Sequence, residues 1–144
     1  MLKSTSRFWQ SGNRIIDIAV LVVVLAMVFI GSSIPMDGIP NSNIFNYDKV
    51  IHLVEYLVVG LALFCSVRHS RRMHGSFRLL PFAGDKGKVI AFILIGGLLW
   101  AISDEVHQSF VGRDCSGLDL VADFCGLVLA ALMHLTGTIK TAME

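Results

Sequence analysis

Apolar residues run along this chain in four blocks instead of alternating with polar ones. The blocks are residues 15–31 (IIDIAVLVVVLAMVFIG), 50–67 (VIHLVEYLVVGLALFCSV), 89–102 (VIAFILIGGLLWAI) and 118–139 (LDLVADFCGLVLAALMHLTGTI). Lipid cannot satisfy exposed backbone polar groups, so apolar runs of this length must close their hydrogen bonds within a helix. The third block is short for a span. Continued through SDEVHQSF it reaches about 22 residues and carries its polar last two turns to the far interface, and this extended span is the expected form. The first block follows Lys3, Arg7 and Arg14 and precedes GSSIP. Its apolar core is longer than the h-region of a signal peptide, so it reads as an uncleaved span. The pattern predicts an all-α polytopic membrane protein, a four-transmembrane-helix bundle forming one domain over residues 1–144. Its helices are expected at about 14–31, 48–67, 88–110 and 117–139.

Composition points the same way. The chain is 54% hydrophobic and 16% charged, with mean hydropathy +0.69, which excludes an ordinary soluble domain. The net charge of +1 is uninformative until it is divided by side. With a cytoplasmic N-terminus the inner side receives Lys3, Arg7, Arg14, Arg68, Arg71, Arg72, Arg78, Lys86, Lys88 and Lys140, and the outer side keeps Lys49 and Arg113. That bias predicts both termini inside, in the cytoplasmic (inner) membrane. The stretch RHSRRMHGSFRLLPFAGDKGK is then a basic inner loop, read as topogenic charge compatible with anionic lipid and not as a nucleic-acid site. Cys65, Cys115 and Cys125 have no zinc-ribbon or CxxC spacing, so no disulfide framework is expected. Rossmann, P-loop, HExxH and GxSxG patterns are absent from the sequence.

On this topology the outer ends of the second, third and fourth helices meet at one level. In the second, Asp48, His52 and Glu55 fall within roughly 60° of arc, with Tyr56 about 40° beyond His52. Asp104, His107 and Gln108 share a face of the third, while Glu105 points about 100° from Asp104. In the fourth, Asp119 and Asp123 are stacked neighbours, continued inward by Gly126 and Ala130, whose small size admits a close helix. Ionisable groups within a membrane survive by facing a bundle interior or a wet cavity. Three such faces at one depth predict a shared polar pocket open to the outside. The plainer alternative is a set of interfacial residues capping helix ends, with Asp119 a favourable partner for a helix N-terminus.

These residues also carry a resemblance. DKVIHLVEYLVVG followed by SDEVHQSFVGRDCSGLDLVADFCG resembles the two signature segments of the VanZ-like family, named for a teicoplanin-resistance protein. The matching positions are Asp48, Lys49, His52 and Tyr56 in the first segment, and Asp104, Glu105, Gln108, Arg113, Asp119, Asp123 and Gly126 in the second, over roughly residues 45 to 130. The resemblance implies a small polytopic envelope protein, with glycopeptide resistance attached to the founding member. It implies no particular reaction.

The chemistry must therefore come from the residues. Asp48, Glu55, Asp104, Glu105, Asp114, Asp119 and Asp123 face only Lys49 and Arg113, a formal charge of −5. Such an excess cannot persist in a low dielectric without shared protons, ion pairing that includes protonated His52, or a bound divalent cation. As an enzyme, the protein would use His52, Asp104, Glu105 and Asp119 as candidate acids and bases. Asp48, Lys49, Tyr56, Gln108, Arg113 and Asp123 would then hold a membrane lipid or lipid-linked envelope precursor, with Mg²⁺, Ca²⁺ or Mn²⁺ assisting. As a binding protein it would recognise the same head group, or an antibiotic, without chemistry. A structural network and an ion pathway are the other readings, the last weakened because the first block offers only Asp17, at its inner end. Ser103, Ser109, Cys115 and Ser116 stand near the site without an activating arrangement.

Overall fold

The computed structural model describes residues 14–34, 48–68, 85–113 and 116–137, and among these every regular element is a helix. They are α1 (Arg14–Ser32), α2 (Asp48–Arg68), α3 (Asp85–Phe110) and α4 (Gly117–Leu135). All four are long and apolar enough to cross a membrane. The third block does continue through the polar turns, giving a helix of 26 residues whose last two turns hold Asp104, Glu105, His107 and Gln108. It also starts three residues earlier than expected, at Asp85.

Helix ends follow from local chemistry. After Phe110, Gly112 takes a φ of +78°, and the amide of Arg113 donates to the carbonyl of Gln108 at 3.0 Å. Only glycine adopts that left-handed conformation cheaply, so the turn stops α3 and fixes where Arg113 emerges. Ser116 then caps α4, its hydroxyl accepting from the amide of Leu118 at 3.3 Å. The far end of α4 arrives sooner than expected, at Leu135, because Gly137 turns left-handed at φ +72°. The expected last residues, 138 and 139, lie outside the described residues.

Side chains tie the helices at one level. Ser32, at the C-terminal end of α1, meets Asp104 near the end of α3, while His52 and Lys49 at the start of α2 meet Asp123 and Asp119 at the start of α4. The chain therefore runs up and down, and α4 lies alongside α2 in its most extensive packing. That packing is close because both helices present small residues. A Cβ placed at Gly60 would lie 2.6 Å from Cβ of Ala130, and one at Gly126 would meet the carbonyl oxygen of Leu53 and lie 2.7 Å from the amide of Leu57. Around this seam Tyr56, Val59, Phe64, Ile93, Leu127 and Ala130 form the dry core. Large apolar side chains such as Ile15, Val22, Met27, Leu99 and Phe124 point outward, the arrangement lipid rewards. The small stripe anticipated at Gly126 and Ala130 is thus the line along which α4 docks.

Candidate functional site

The polar residues singled out in the sequence converge at one end of the bundle. His52, Tyr56, Asp104, Glu105, Gln108, Asp119 and Asp123 are all buried, although each carries a polar group into an otherwise apolar interior. Asp48, Glu55 and Arg113 are half-buried, and Lys49 is exposed at the rim. Asp114 and Cys115 lie outside the described residues.

The site is built in two halves. In the α2/α4 half, Nδ1 of His52 lies 2.9 Å from Oδ1 of Asp123. The carboxylate only accepts, so Nδ1 donates, and the pair fixes the orientation of the imidazole. The other ring nitrogen faces Asp48, with Nε2 at 3.9 Å from Oδ1. Lys49 reaches across from the first turn of α2 to pair with Asp119, and its ammonium is also 3.2 Å from Asp48.

In the α1/α3 half, Oδ2 of Asp104 accepts from the hydroxyl of Ser32 at 2.8 Å and from the side-chain amide of Gln108 at 3.1 Å. Oδ1 of the same carboxylate has no hydrogen-bond partner among the described residues. Glu105 accepts from the backbone amide of Ser116 at 3.1 Å, so the start of α4 closes over it. The two halves meet at Tyr56, whose side chain is wholly buried and whose hydroxyl has no hydrogen-bond partner among the described residues. Asp104, Asp123, Glu105 and Glu55 all act on it electrostatically.

Arg113 departs from its neighbours. The guanidinium donates to the carbonyl of Gly31 at 3.3 Å, and its Nε has no hydrogen-bond partner among the described residues. Among the described residues it makes no ion pair with a carboxylate. Glu55 is close enough to interact with it electrostatically. A fork suited to two parallel bonds with carboxylate or phosphate is held at the site and tethered by a single backbone contact.

Comparison with protein-family models, curated proteins and solved structures finds no match.

Two residues have surroundings that a helical wheel does not supply. His107, expected on the face of Asp104, lies against α1, stacked on Phe29 at a centroid distance of 4.2 Å with Nε2 at 2.9 Å from the hydroxyl of Ser33. Glu105, expected about a quarter-turn away from Asp104, is just as buried. The cause is the same for both: α1 covers one flank of the end of α3, and Ser116 at the start of α4 meets the other.

The sequence reading missed the contribution of α1. It had credited that helix with no polar group at this level, yet Ser32, Ser33 and the carbonyl of Gly31 all reach the site. The available signal was the small polar triplet Gly31, Ser32 and Ser33 closing an apolar run at the level of the acid cluster.

Proposed function

We propose that this protein is a small multi-pass protein of the cytoplasmic membrane, of the VanZ-like type, whose polar pocket opens outward and binds the anionic head group of an envelope lipid or lipid-linked cell-wall precursor. The observation that carries the reading is Arg113. It stands at a buried acid-rich site, yet its guanidinium is committed to one backbone carbonyl and to no carboxylate among the described residues. Were Arg113 a structural clamp, Asp104 or Asp119 would occupy its fork; instead Asp104 is held by Ser32 and Gln108, and Asp119 by Lys49. The fork is left for an incoming phosphate or carboxylate.

Two further features agree. The resemblance to the VanZ-like segments covers Asp48, Lys49, His52, Asp104, Arg113 and Asp119, residues from both halves of the site. The bias of ten basic residues to two on alternate loops puts the Arg113 end outside, where envelope precursors are used. In this reading His52, oriented by Asp123, is the group that exchanges a proton with whatever Arg113 holds.

The test is Arg113→Lys, which keeps the charge and removes the planar fork. The purified variant should melt like the parent, while binding of an anionic head-group probe, a vesicle of phosphatidylglycerol, and any glycopeptide-susceptibility phenotype should be lost. Loss of thermal stability in step with loss of binding would assign Arg113 to the scaffold and sink the reading.

A further inference from the structure

Two buried oxygens of the site lack a partner, and they differ in kind. Oδ1 of Asp104, on a side chain only 4% exposed, and the hydroxyl of Tyr56, at 0%, make no hydrogen bond among the described residues. The carboxylate oxygen can accept, whereas the hydroxyl carries a proton to give. Leaving either unmet in an apolar interior is costly, so a group that answers both would be held firmly.

Their placement ties them to Arg113. Of the carboxylates that act on the Tyr56 hydroxyl, Asp104 acts most strongly. Asp104 and Arg113 are in turn moored to consecutive residues of α1: the hydroxyl of Ser32 donates to Oδ2 of Asp104, and the carbonyl of Gly31 accepts from the guanidinium. Gln108 joins them a second time, its side-chain amide donating to Asp104 and its carbonyl accepting from the backbone amide of Arg113. Glu55, half-buried on α2, interacts electrostatically with Asp104, Tyr56 and Arg113 alike. A ligand whose phosphate lies on the Arg113 fork has the Asp104 and Tyr56 oxygens within reach of its next few atoms.

We infer that the pocket selects a phosphate ester whose organic part bears a free hydroxyl, the chemistry shared by a glycerol head group and a lipid-linked sugar: that hydroxyl donates to Oδ1 of Asp104 and accepts from the hydroxyl of Tyr56. One such group satisfies both orphans at once. An ammonium head group only donates, so it would serve Asp104 and leave the Tyr56 proton unanswered. A head group ending in carbon would serve neither oxygen. A site built to hydrogen-bond a hydroxyl rejects the analogue that lacks it far more strongly than an apolar pocket rejects a change of size. Selection at the hydroxyl rests on the head-group reading of Arg113 and concerns what lies beyond the phosphate.

Matched lipid pairs are the probe. The delipidated full chain in detergent is titrated with phosphatidylglycerol against phosphatidylpropanol, and with a polyprenyl phosphohexose against polyprenyl methyl phosphate, binding being read by native mass spectrometry. Within each pair the phosphodiester charge is the same and only the hydroxyls differ. The hydroxylated member of at least one pair should bind about tenfold more tightly, and the pair that shows the preference names the source, glycerol or sugar. Tyr56→Phe should reduce that preference by roughly fivefold, while the ligand-free variant melts at or above the parent because an unpartnered hydroxyl has gone. The wild-type pairs alone decide the matter if the variant fails to fold. Equal binding within both pairs overturns the hydroxyl contact and leaves the Arg113 reading standing, whereas no binding of any of these lipids overturns both. Tighter binding of phosphatidylethanolamine than of phosphatidylglycerol would put an ammonium in place of the hydroxyl and overturn it too. So would a ligand-free Tyr56→Phe that melts below the parent, since the hydroxyl would then already be bonded, to Asp104 directly or through a buried water.

Discussion

Gly126 offers the sharpest test of how packing holds the site together. A methyl group there would meet the carbonyl oxygen of Leu53, lie 2.7 Å from the amide of Leu57 and 3.0 Å from the carbonyl carbon of Tyr56. All three are backbone atoms, so no rotamer change relieves the overlap, and α2 and α4 must part by on the order of 1 Å to restore normal contact. Overpacking costs about 1–3 kcal/mol, and the upper end applies where nothing can rotate away. Replacing glycine by alanine returns about 1 kcal/mol of helix propensity, leaving Gly126→Ala destabilised by roughly 2 kcal/mol. On the scale of a chain this size that lowers the melting temperature by about 5–10 °C. Gly96 is the matched control: it sits in α3 with nothing within 4 Å of an added Cβ, so Gly96→Ala keeps only the propensity gain. Both are measured by thermal unfolding of purified protein in detergent, followed by tryptophan fluorescence. The same separation would stretch the 2.9 Å His52–Asp123 contact beyond hydrogen-bond length, so head-group binding should fall with the melting temperature. Gly126→Ala melting at or above Gly96→Ala would refute the close crossing of α2 and α4.

The seam makes a second packing prediction one turn further along. Gly60→Ala should destabilise because its Cβ would lie 2.6 Å from that of Ala130, and adding Ala130→Gly should recover most of the loss, a coupling of about 1 kcal/mol or more in a double-mutant cycle; additive effects would mean that the two residues do not face each other. Topology is tested separately. Reporter fusions at Asn41 and near Asp114 should read as outside and one after His74 as inside, and the reverse pattern would move the site to the cytoplasmic face.

The four helices were legible because the bilayer turns length and apolarity into structure, and the chain keeps its charges at the block ends. So was the docking stripe of α4, since Asp119, Asp123, Gly126 and Ala130 repeat with helical spacing and only small residues admit a neighbouring backbone. Facing directions were less legible. A helical wheel placed His107 beside Asp104 but could not say that α1 would cover that flank and claim the ring through Phe29 and Ser33. It set Glu105 apart, although the amide of Ser116 donates to it. The role of Ser32 was invisible for the same reason: a serine at the end of an apolar run reads as a boundary until the register of α1 against α3 is known. The clamp considered for Arg113 also depended on long-range register. Once Lys49 is paired with Asp119 and Ser32 with Asp104, the carboxylates that such a clamp would hold are already engaged.

Those pairings bear on why so polar a cluster is kept inside a membrane bundle. Three cross-helix ties, Lys49–Asp119, His52–Asp123 and Ser32–Asp104, would suffice for a network whose only task was to set helix register. Such a network gains nothing from further charge, because well-packed apolar residues usually serve stability as well as or better than buried ions. Yet the same interior holds a second oxygen of Asp104 and the hydroxyl of Tyr56 with no hydrogen-bond partner among the described residues, and Arg113 stands at its edge hydrogen-bonded to a single carbonyl. A partly satisfied polar network is less stable than either a complete one or an apolar core. The unsatisfied oxygens in excess of the ties therefore cost the fold stability. Their positions converge on the point where the α1/α3 half meets the α2/α4 half, as a ligand that bridges the two halves requires. Occupancy by such a ligand would supply the missing contacts and tighten the bundle by mass action. Stability that rises on ligand addition, and does so only while Asp104, Tyr56 and Arg113 are intact, is the behaviour that separates this arrangement from a scaffold.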